Sequence, residues 1–439
     1  MHIDLRRSLT LPCGAIIENR LCKSAISESL ADVNNLPTKH HFNLYTKWAA
    51  SEAGLMITGN VAVDCDHLEQ VGNVLIDGEP SPAGMKAFKG WAEVGKSRGK
   101  HFWMQLNHAG RQTPFIINSS PNSSSDVQLK NMLGHRFGKP TSMTEEKIHE
   151  AIRKFSFAAG VAKLAGFTGV QIHGAHGYLI SQFLSPNVNL RKDMWGGCLK
   201  NRAMFLILCI REIKKTVGKN FPVSVKLNVS DFQNGGFSTD DFEALSLLLN
   251  SEPLDLLELS GGTFENTAFT SKNELRLNQA QVERRDVNEM ISDAYFVEYA
   301  RRIRKRLKYP LLVTGGFRKV SSIEASLSNQ YCNLIGLSRP MCIDPLIIKK
   351  VLKREVDSIV GEDTIFNHFA LKFLFDKVKI LSRLKSFSEQ AWFYLKIYRL
   401  ADDSKLAMPR TILITLLRSY RLKKKMTVSY KKFKSKNIN

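Results

Sequence analysis

Short, nearly continuous apolar runs recur along the chain, and an amphipathic stretch follows each of them. Apolar residues at successive positions are typical of strands buried on both faces of a parallel sheet, whereas spacings of three and four are typical of covering helices. Eight strands are predicted, at residues 21–27, 54–63, 101–108, 169–176, 222–229, 254–261, 309–316 and 332–339. Helices are predicted at 38–53, 81–99, 144–166, 200–217, 239–250, 292–307, 320–329 and from 344 onward.

Eight strand–helix units in this order predict an α/β fold of the (β/α)8 TIM barrel type, and a doubly wound sheet with fewer strands is the alternative. Two long polar insertions, at 111–143 and 263–291, follow the third and sixth predicted strands. Both therefore leave the C-terminal face of the barrel, where the active sites of this fold lie. We expect the first insertion to select the substrate.

The strand–helix rhythm stops near residue 355, which divides the chain into a barrel at 1–355, a helical extension at 356–403 and a basic tail at 404–439. Every charged side chain after Asp403 is basic, and these eleven residues carry half of the formal net charge of +22. A helix packed on the barrel with a solvated basic end is the default interpretation. Weak contact with a membrane surface is the alternative, and we expect no specific nucleic acid partner.

Composition narrows the class of protein. Of the 439 residues, 43% are hydrophobic and 24% are charged, which excludes a disordered chain, a collagen-like repeat and a disulfide scaffold. The seven cysteines form no CxxC pair, the first residues do not resemble a signal peptide, and the apolar runs are too short to cross a bilayer. These features predict an intracellular, cytoplasmic protein with reduced thiols.

The segment from Gly90 to Ser97 satisfies the phosphate-binding pattern GxxxxGK[ST]. That chemistry needs a loop between a strand and a helix, with bare backbone amides facing the phosphates. Here the residues continue a predicted helix, and a strand follows them. No GxGxxG follows a predicted strand either. Both nucleotide-binding interpretations are therefore rejected.

His173, His176 and Tyr178 lie at the end of the fourth predicted strand. Two imidazoles can stabilise negative charge on one oxygen, and a phenol can protonate a strongly basic carbon. Two histidines could also bind a metal, but zinc usually needs three protein ligands, and no third ligand is near in sequence. A hydrogen-bonded core histidine is the structural alternative for either one alone.

At this point the chain is identified as resembling the Old Yellow Enzyme family of NADH:flavin oxidoreductases, in its NADH-oxidase-like branch. The resemblance covers about residues 5–350 and recurs in order at most strand ends. The motifs that carry it are NRLCKSAISE (19–28), GLMITGNV (54–61), QLNHAGR (105–111), QIHGAHGYLISQFLSPNVNLRKDMWGGCLKNR (171–202), SGG (260–262), TGG (314–316) and SRP (338–340). The family is one of TIM-barrel enzymes that use FMN, with NADH or NADPH as the reductant.

The resemblance implies a role for each residue of the site. Gln105 would bind the pyrimidine edge of the flavin, Ser27 would lie by its C4 carbonyl and N5, and Lys226 would lie near N1 and O2. A buried lysine is costly unless it meets an anion, and reduced flavin is anionic at that edge. The other implied cofactor-binding residues are Gly59, Asn60, Gly315, Gly316, Ser338 and Arg339, of which Gly315, Gly316 and Arg339 would hold the phosphate.

The mechanism implied is ping-pong: flavin N5 takes hydride from NAD(P)H and passes it to an electron acceptor, such as the C=C bond of an α,β-unsaturated carbonyl. His173 and His176 would hold the oxygen of this small-molecule acceptor, and Tyr178 would protonate the α-carbon. A flavin-binding protein without turnover and a metal-dependent barrel hydrolase are the rival functions, although we expect no metal. Assembly into a homo-oligomer is also expected.

Overall fold

Eight parallel strands close into a barrel in the computed structural model, which describes residues 4–97, 100–129, 135–263, 294–360, 379–403, 408–409 and 411–437. In chain order the strands are β1 (Leu21–Lys23), β2 (Leu55–Ala62), β3 (His101–Asn107), β4 (Gly169–Gly174), β5 (Val223–Asn228), β6 (Leu256–Ser260), β7 (Leu311–Thr314) and β8 (Leu334–Leu337). Each strand pairs with the next, and β8 pairs with β1 to complete the ring. The predicted TIM barrel is confirmed.

The helices that surround the barrel also follow the predicted order. They are α1 (Lys39–Ala49), α2 (Pro82–Gly95), α3 (Glu145–Ala165), α4 (Leu179–Leu184), α5 (Leu199–Arg202), α6 (Met204–Val217), α7 (Thr239–Leu248), α8 (Val297–Ile303), α9 (Val320–Ser328), α10 (Arg339–Ile343) and α11 (Ile347–Leu352). Helix α2 ends with Gly90–Gly95, so the first six residues of the P-loop-like pattern continue a helix, as predicted, and Lys96 and Ser97 follow its end. Residues 264–291 of the second insertion lie outside the described part of the chain.

The strands are shorter than predicted at both ends: β6, β7 and β8 each begin two residues later, and the last residues of each predicted strand belong to the loops at the mouth of the barrel. Residues 25–27 follow β1, and His176 follows β4, where it adopts a φ of 61°. A positive φ is uncommon for a residue with a side chain, and it marks a sharp turn at this point of the chain. Strand ends that were predicted as regular structure therefore form the walls of the mouth.

The opposite end of the barrel is closed by apolar side chains. Trp103, Leu256 and Leu312 pack inside the barrel with residues from the hairpin of Leu9–Thr10 and Ile16–Ile17. Gly169 is the β4 residue paired with Trp103, and a side chain there would come within 2.5 Å of the Trp103 indole nitrogen. Glycine is required at this position because the indole fills the space that a Cβ would occupy.

Two long helices follow the barrel, α12 (Lys379–Ala401) and α13 (Ile412–Asn437), and they pack against each other. Helix α12 also packs against α1, where Asn43 Nδ2 donates to the carbonyl oxygen of Ala401 at 3.1 Å. The predicted helical extension is therefore present and docked on the barrel. No helix in the described ranges is both long enough and apolar enough to cross a membrane.

His41, at the start of α1, generates a prediction about pH and stability. Its Nδ1 accepts from the Thr38 backbone N–H at 3.1 Å, and burial lowers its pKa to about 3. Because the unfolded chain binds a proton at His41 below about pH 6.5 and the folded chain does not, stability falls as the pH falls through that value. This group should contribute a loss of about 2 kcal/mol in unfolding free energy between pH 7 and pH 5.

The substitution His41→Gln removes the titration and keeps a side-chain acceptor for the helix cap. We expect the pH dependence of the urea-unfolding free energy to become shallower by about that amount. Equal slopes for His41→Gln and the unsubstituted protein would show that burial of His41 does not control its protonation.

Candidate active site

A cavity opens at the C-terminal mouth of the barrel, where the loops after the strands meet helix α12. Eleven of the twelve residues that the sequence indicated for the site line this cavity: Ser27, Asn60, Gln105, His173, His176, Tyr178, Lys226, Gly315, Gly316, Ser338 and Arg339. The twelfth, Gly59, lies behind the wall. Its N–H donates to Glu28 Oε1 at 2.8 Å, and a side chain at this position would overlap the Glu28 carboxylate.

The two histidines and the tyrosine after β4 form one compact group. The ring centroids of His173 and Tyr178 are 4.8 Å apart, those of His173 and His176 are 5.1 Å apart, and both pairs meet edge to face. His173 Nδ1 accepts from the Ala175 backbone N–H at 3.3 Å, which leaves Nε2 as the donor of the neutral ring. His176 Nε2 lies 2.7 Å from Ser260 Oγ.

Burial sets the protonation of this group. It holds the pKa values of His173 and His176 well below the ordinary value, with the charge of Lys226 acting in the same direction on both. Burial and the nearby charge of Glu69 raise the pKa of Tyr178 well above its ordinary value. At neutral pH the wall therefore presents two neutral imidazoles and a protonated phenol, all of which can donate hydrogen bonds.

A chain of buried polar side chains runs from β3 to β6. Gln105 Nε2 donates to Gln171 Oε1 at 2.8 Å, and Gln171 Nε2 donates to Glu258 Oε2 at 2.8 Å. Glu258 Oε1 in turn lies 3.1 Å from Lys226 Nζ. The expectation that the burial of Lys226 needs a bound anion is thus corrected, because the chain itself supplies the compensating carboxylate from the neighbouring strand.

The mouth end of β7 and β8 is cationic and rich in backbone N–H groups. Gly315 and Gly316 have φ values of 123° and 89°, which favour glycine, and they line the cavity together with Arg318 and Arg339. The Arg339 guanidinium carbon lies 5.9 Å from the centre of the Phe393 ring. Sequence reasoning missed Arg318, although a basic residue two positions after a glycine turn was a usable signal.

Two further polar residues of the cavity were not predicted, Glu69 and Tyr394. Glu69, on the loop after β2, accepts hydrogen bonds at Oε2 from Ser27 Oγ at 2.9 Å and from Asn60 Nδ2 at 2.5 Å. Tyr394 belongs to α12, and its hydroxyl accepts from Gln70 Nε2 at 3.0 Å. The sequence carried no signal for either residue, because one lies in a loop and the other in a helix outside the barrel.

The donor set matches the chemistry of FMN. Two guanidinium groups and a glycine turn suit a phosphate, and Gln105 and Lys226 suit the polar edge of an isoalloxazine ring. Gln105 Nε2 gives one of its two N–H groups to Gln171, so its carbonyl oxygen and its second N–H group can contact a ligand. The residues therefore fit the cofactor that the sequence motifs implied.

The same residues do not form a metal site in the described part of the chain. The groups there that bring three metal-ligating side chains together are Asp64 with His67 and His108, and residues 64–66, and neither group includes His173. At the first group, Lys154 Nζ lies 2.8 Å from Asp64 Oδ2 and places a positive charge beside the carboxylate. A metal-dependent hydrolase built on His173 and His176 thus finds no third ligand among these residues.

The pair of Lys226 and Glu258 generates a stability prediction. Their side chains are 5% and 0% exposed, and removing one partner of a buried pair costs about 3–5 kcal/mol because the other charge is left uncompensated. We expect such losses in unfolding free energy for Lys226→Met and Glu258→Gln alone, and a smaller loss for the double variant than for the sum of the two.

Urea unfolding of the three variants measures this coupling. Lys215→Met, at an exposed pair with Glu212, serves as the control and should cost about 1 kcal/mol or less. Additive effects of the two substitutions would show that the buried charges do not depend on each other.

Comparisons with known proteins agree with the geometry. A model of the NADH:flavin oxidoreductase / NADH oxidase family matches residues 14–357. The NADH-dependent flavin oxidoreductase iliE of Hypocrea jecorina is 34% identical over 80% of this chain and 89% of its own length. The NADH oxidase of Thermoanaerobacter brockii is 31% identical over 76% of this chain and 48% of its own length.

The fold is also that of solved structures. The old yellow enzyme homologue of Zymomonas mobilis superposes with a TM-score of 0.67 over 81% of this chain and 94% of that structure, at 21% identity. The chain therefore belongs to the NADH:flavin oxidoreductase / NADH oxidase family, the Old Yellow Enzyme family that its motifs resemble, and it is an FMN-dependent NAD(P)H oxidoreductase.

Proposed function

We propose that this oxidoreductase reduces the C=C bond of an α,β-unsaturated carbonyl compound at the expense of NAD(P)H. The observation that carries the proposal is the group of His173, His176 and Tyr178, in which two neutral imidazoles and a protonated phenol share one wall of the cofactor cavity. An enone needs both functions, because negative charge develops on its oxygen while its α-carbon takes up a proton.

The histidines bind the carbonyl oxygen of the acceptor. His173 offers Nε2–H, since its Nδ1 already accepts from the backbone. His176 offers Nδ1–H when the Ser260 hydroxyl donates to its Nε2, across the 2.7 Å that separates these atoms. Both donors are neutral and held in a buried wall, so they can stabilise developing negative charge without giving up a proton themselves.

Tyr178 supplies the proton to the α-carbon. Its pKa is raised by burial and by the Glu69 charge, so that the phenol stays protonated at neutral pH and gives its proton only to a strongly basic centre. The tyrosine is 4% exposed, which keeps bulk water from competing as the proton donor.

The remaining residues bind the cofactor. Bound FMN supplies the redox chemistry, because it accepts two electrons from NAD(P)H and returns them to the acceptor. Gln105, Lys226, Ser27 and Asn60 would contact the ring. The phosphate would meet the guanidinium of Arg339 and the backbone at Gly315, Gly316 and Ser338. Gly59 acts from behind the wall: because it has no side chain, Glu28 can accept a hydrogen bond from its N–H next to Asn60.

Substitution of the acid tests the proposal directly. Tyr178→Phe should slow reoxidation of the reduced enzyme by 2-cyclohexenone by about 100-fold or more, because the proton donor is lost. Reduction by NAD(P)H needs no proton from Tyr178 and should change by about threefold or less. Anaerobic stopped-flow absorbance of the flavin measures both half-reactions separately.

Tyr309→Phe is the matched control, since Tyr309 is also buried but donates to the Ser246 carbonyl oxygen away from the cavity. It should leave both half-reactions unchanged. An unsubstituted enzyme that is reduced by NAD(P)H but not reoxidised by any enone would refute the proposed acceptor class.

Arginine substitution tests the phosphate end. Arg339→Gln should weaken FMN binding by about 10–100-fold, because a charge-assisted contact to the phosphate is lost. Riboflavin has no phosphate, so its affinity for the Arg339→Gln variant should be unchanged. The control is Arg354→Gln, at an exposed arginine paired with Glu324, and this variant should bind both FMN and riboflavin with unchanged affinity. Fluorescence titration of the apoprotein gives the affinities, and equal losses for FMN and riboflavin would place the phosphate elsewhere.

A further inference from the structure

One wall of the cofactor cavity is formed by a helix that lies outside the family-matched segment. The match ends at residue 357, whereas α12 spans Lys379–Ala401. The α12 residues that line the cavity are Glu389, Gln390, Phe393, Tyr394 and Ile397. Eight residues of α-helix rise about 12 Å, so this face is about that long, and its Phe393 ring lies 5.9 Å from the Arg339 guanidinium carbon at the cationic end of the cavity.

Specific hydrogen bonds fix this helix against the mouth of the barrel. Besides the contact of Asn43 with the end of α12, the Tyr398 hydroxyl donates to the Ser29 carbonyl oxygen at 2.9 Å. Gln70 Nε2 donates to the Tyr394 hydroxyl at 3.0 Å. The helix is thus held by α1 and by the loops after β1 and β2, which are the loops that carry Ser27 and Glu69.

Tyr394 lies close to the group that performs the chemistry. Tyr394, Tyr178 and Glu69 line the same cavity, and the Glu69 carboxylate acts on both tyrosines, raising the pKa of each phenol in addition to burial. Two protonated phenols therefore flank one carboxylate, with one phenol from the barrel and the other from α12. A molecule bound against Tyr178 has Tyr394 as a neighbour.

The long insertion at 111–143 was expected to select the substrate. None of its described residues lines this cavity, whereas α12 contributes five residues. Pro114 and Ile116 line a separate cavity, which lies between this insertion, α12 and α13. Of the described residues of these two segments, it is therefore those of the C-terminal extension that face the cofactor cavity.

We propose that α12 is the acceptor-selecting wall of the active site and that Tyr394 is its specificity-determining residue. The Tyr394 ring narrows the cavity beside Tyr178 and favours acceptors with a single ring over those with two fused rings, while its hydroxyl adds a hydrogen bond for a polar acceptor. This inference rests on the proposed function in that it concerns the same acceptor site.

The experiment compares acceptors of two sizes with the FMN-loaded enzyme. Tyr394→Ala should raise the ratio of kcat/KM for a fused two-ring acceptor to that for a one-ring acceptor by about tenfold, because the ring that excludes the larger molecule is gone. The enone pair is a bicyclic enone and 2-cyclohexenone, and the quinone pair is menadione and 1,4-benzoquinone. Reoxidation by molecular oxygen, which needs no such fit, should change by about twofold or less.

Leu395→Ala is the control, since Leu395 follows Tyr394 in α12, is buried, and does not line the cavity. It should leave the size ratio unchanged. An unchanged ratio in FMN-loaded Tyr394→Ala, or an equal shift in Leu395→Ala, would overturn the proposal.

If Tyr394→Ala does not retain FMN, the pair Tyr394→Phe and Tyr309→Phe decides, since the Tyr309 hydroxyl donates to Ser246 away from the cavity. Loss of the Tyr394 hydroxyl should raise KM for the one-ring acceptors by about fivefold, with a smaller change in kcat, and loss of the Tyr309 hydroxyl should not. Equal KM values for the two variants would overturn the proposal. Absence of enone turnover with retained quinone turnover would refute the enone acceptor class alone, since the quinone pair still reports on the size ratio.

A second inference concerns the outer face of α13. Leu413, Leu417, Tyr420 and Val428 recur at intervals of three, four and eight residues on one side of this helix, and all are exposed, Leu413 by 67%. Thr415, Ser419 and Tyr430 are buried on the opposite side. The helix therefore docks on the protein by one face and presents leucine and tyrosine to the solvent by the other.

The charge of this helix indicates which kind of partner binds its exposed face. The basic residues of α13 are Arg418, Arg421, Lys423, Lys424, Lys425, Lys431, Lys432, Lys434 and Lys436, and the helix holds no acidic residue. We infer that α13 binds the surface of a membrane that contains anionic lipids. The leucines enter the boundary between headgroups and acyl chains, and the lysines meet the lipid charges. A nucleic acid would satisfy the lysines but leave the exposed leucines without partners.

Vesicle co-sedimentation of the full-length holoenzyme tests this inference. Binding is expected to vesicles of phosphatidylcholine with phosphatidylserine, not to phosphatidylcholine alone, and it should weaken with salt. The double variant Leu413→Ser/Leu417→Ser should lose about tenfold or more in affinity, and Leu164→Ser, at an exposed leucine of α3, should lose none. Failure to bind the anionic vesicles, or equal binding by the leucine double variant, would overturn the inference. So would tight binding to an RNA oligonucleotide that the double variant retains.

Discussion

The register of the parallel strands is the constraint on which the active site depends. In β4, β5 and β6 the ladder places His173 beside Lys226 and Lys226 beside Glu258. In β2, β3 and β4 it places Asn60 beside Gln105 and Gln105 beside Gln171. A shift of one residue in any strand would turn its polar side chain from the cavity toward the surrounding helices, so the closed ladder and the chemistry are specified together.

The register also explains how a charged and polar interior can be stable. The buried side chains at the mouth come in complementary order, from amide to amide to carboxylate to ammonium, so each meets a partner on another strand, and the contact of Gln171 with Glu258 spans from β4 to β6. Such a network is formed only when all members are in place. The protein can therefore keep the Lys226 cation in the wall of the cavity without depending on a bound anion to neutralise it.

The fold was predictable from sequence because both of its signals are local. Continuous apolar runs such as that of β2 and amphipathic stretches such as that of α3 follow from short-range periodicity. The histidine pair and Tyr178 were also readable, because they lie together in sequence as well as in space. Strand ends were extended too far, since apolar residues continue past the last ladder hydrogen bond into the walls of the mouth.

Other parts of the site could not be found in this way. In the sequence Glu258 is a single charged residue in an apolar strand. Only the pairing of β5 with β6 shows that its carboxylate compensates the charge of Lys226. Glu69 and Tyr394 are separated by more than 300 residues and meet only because α12 returns to the barrel mouth. Long-range docking of this kind leaves no periodic signal in the chain.

The position of α12 in the chain has a consequence for biosynthesis. The ribosome completes all eight strands before it makes the helix that forms the last wall of the cavity. A nascent barrel can close its ladder while its cofactor end is still open to water, and the finished enclosure forms only after α12 has been made. Flavin can therefore enter the barrel before the α12 wall of the cavity has formed, and the C-terminal helices enclose it when they dock.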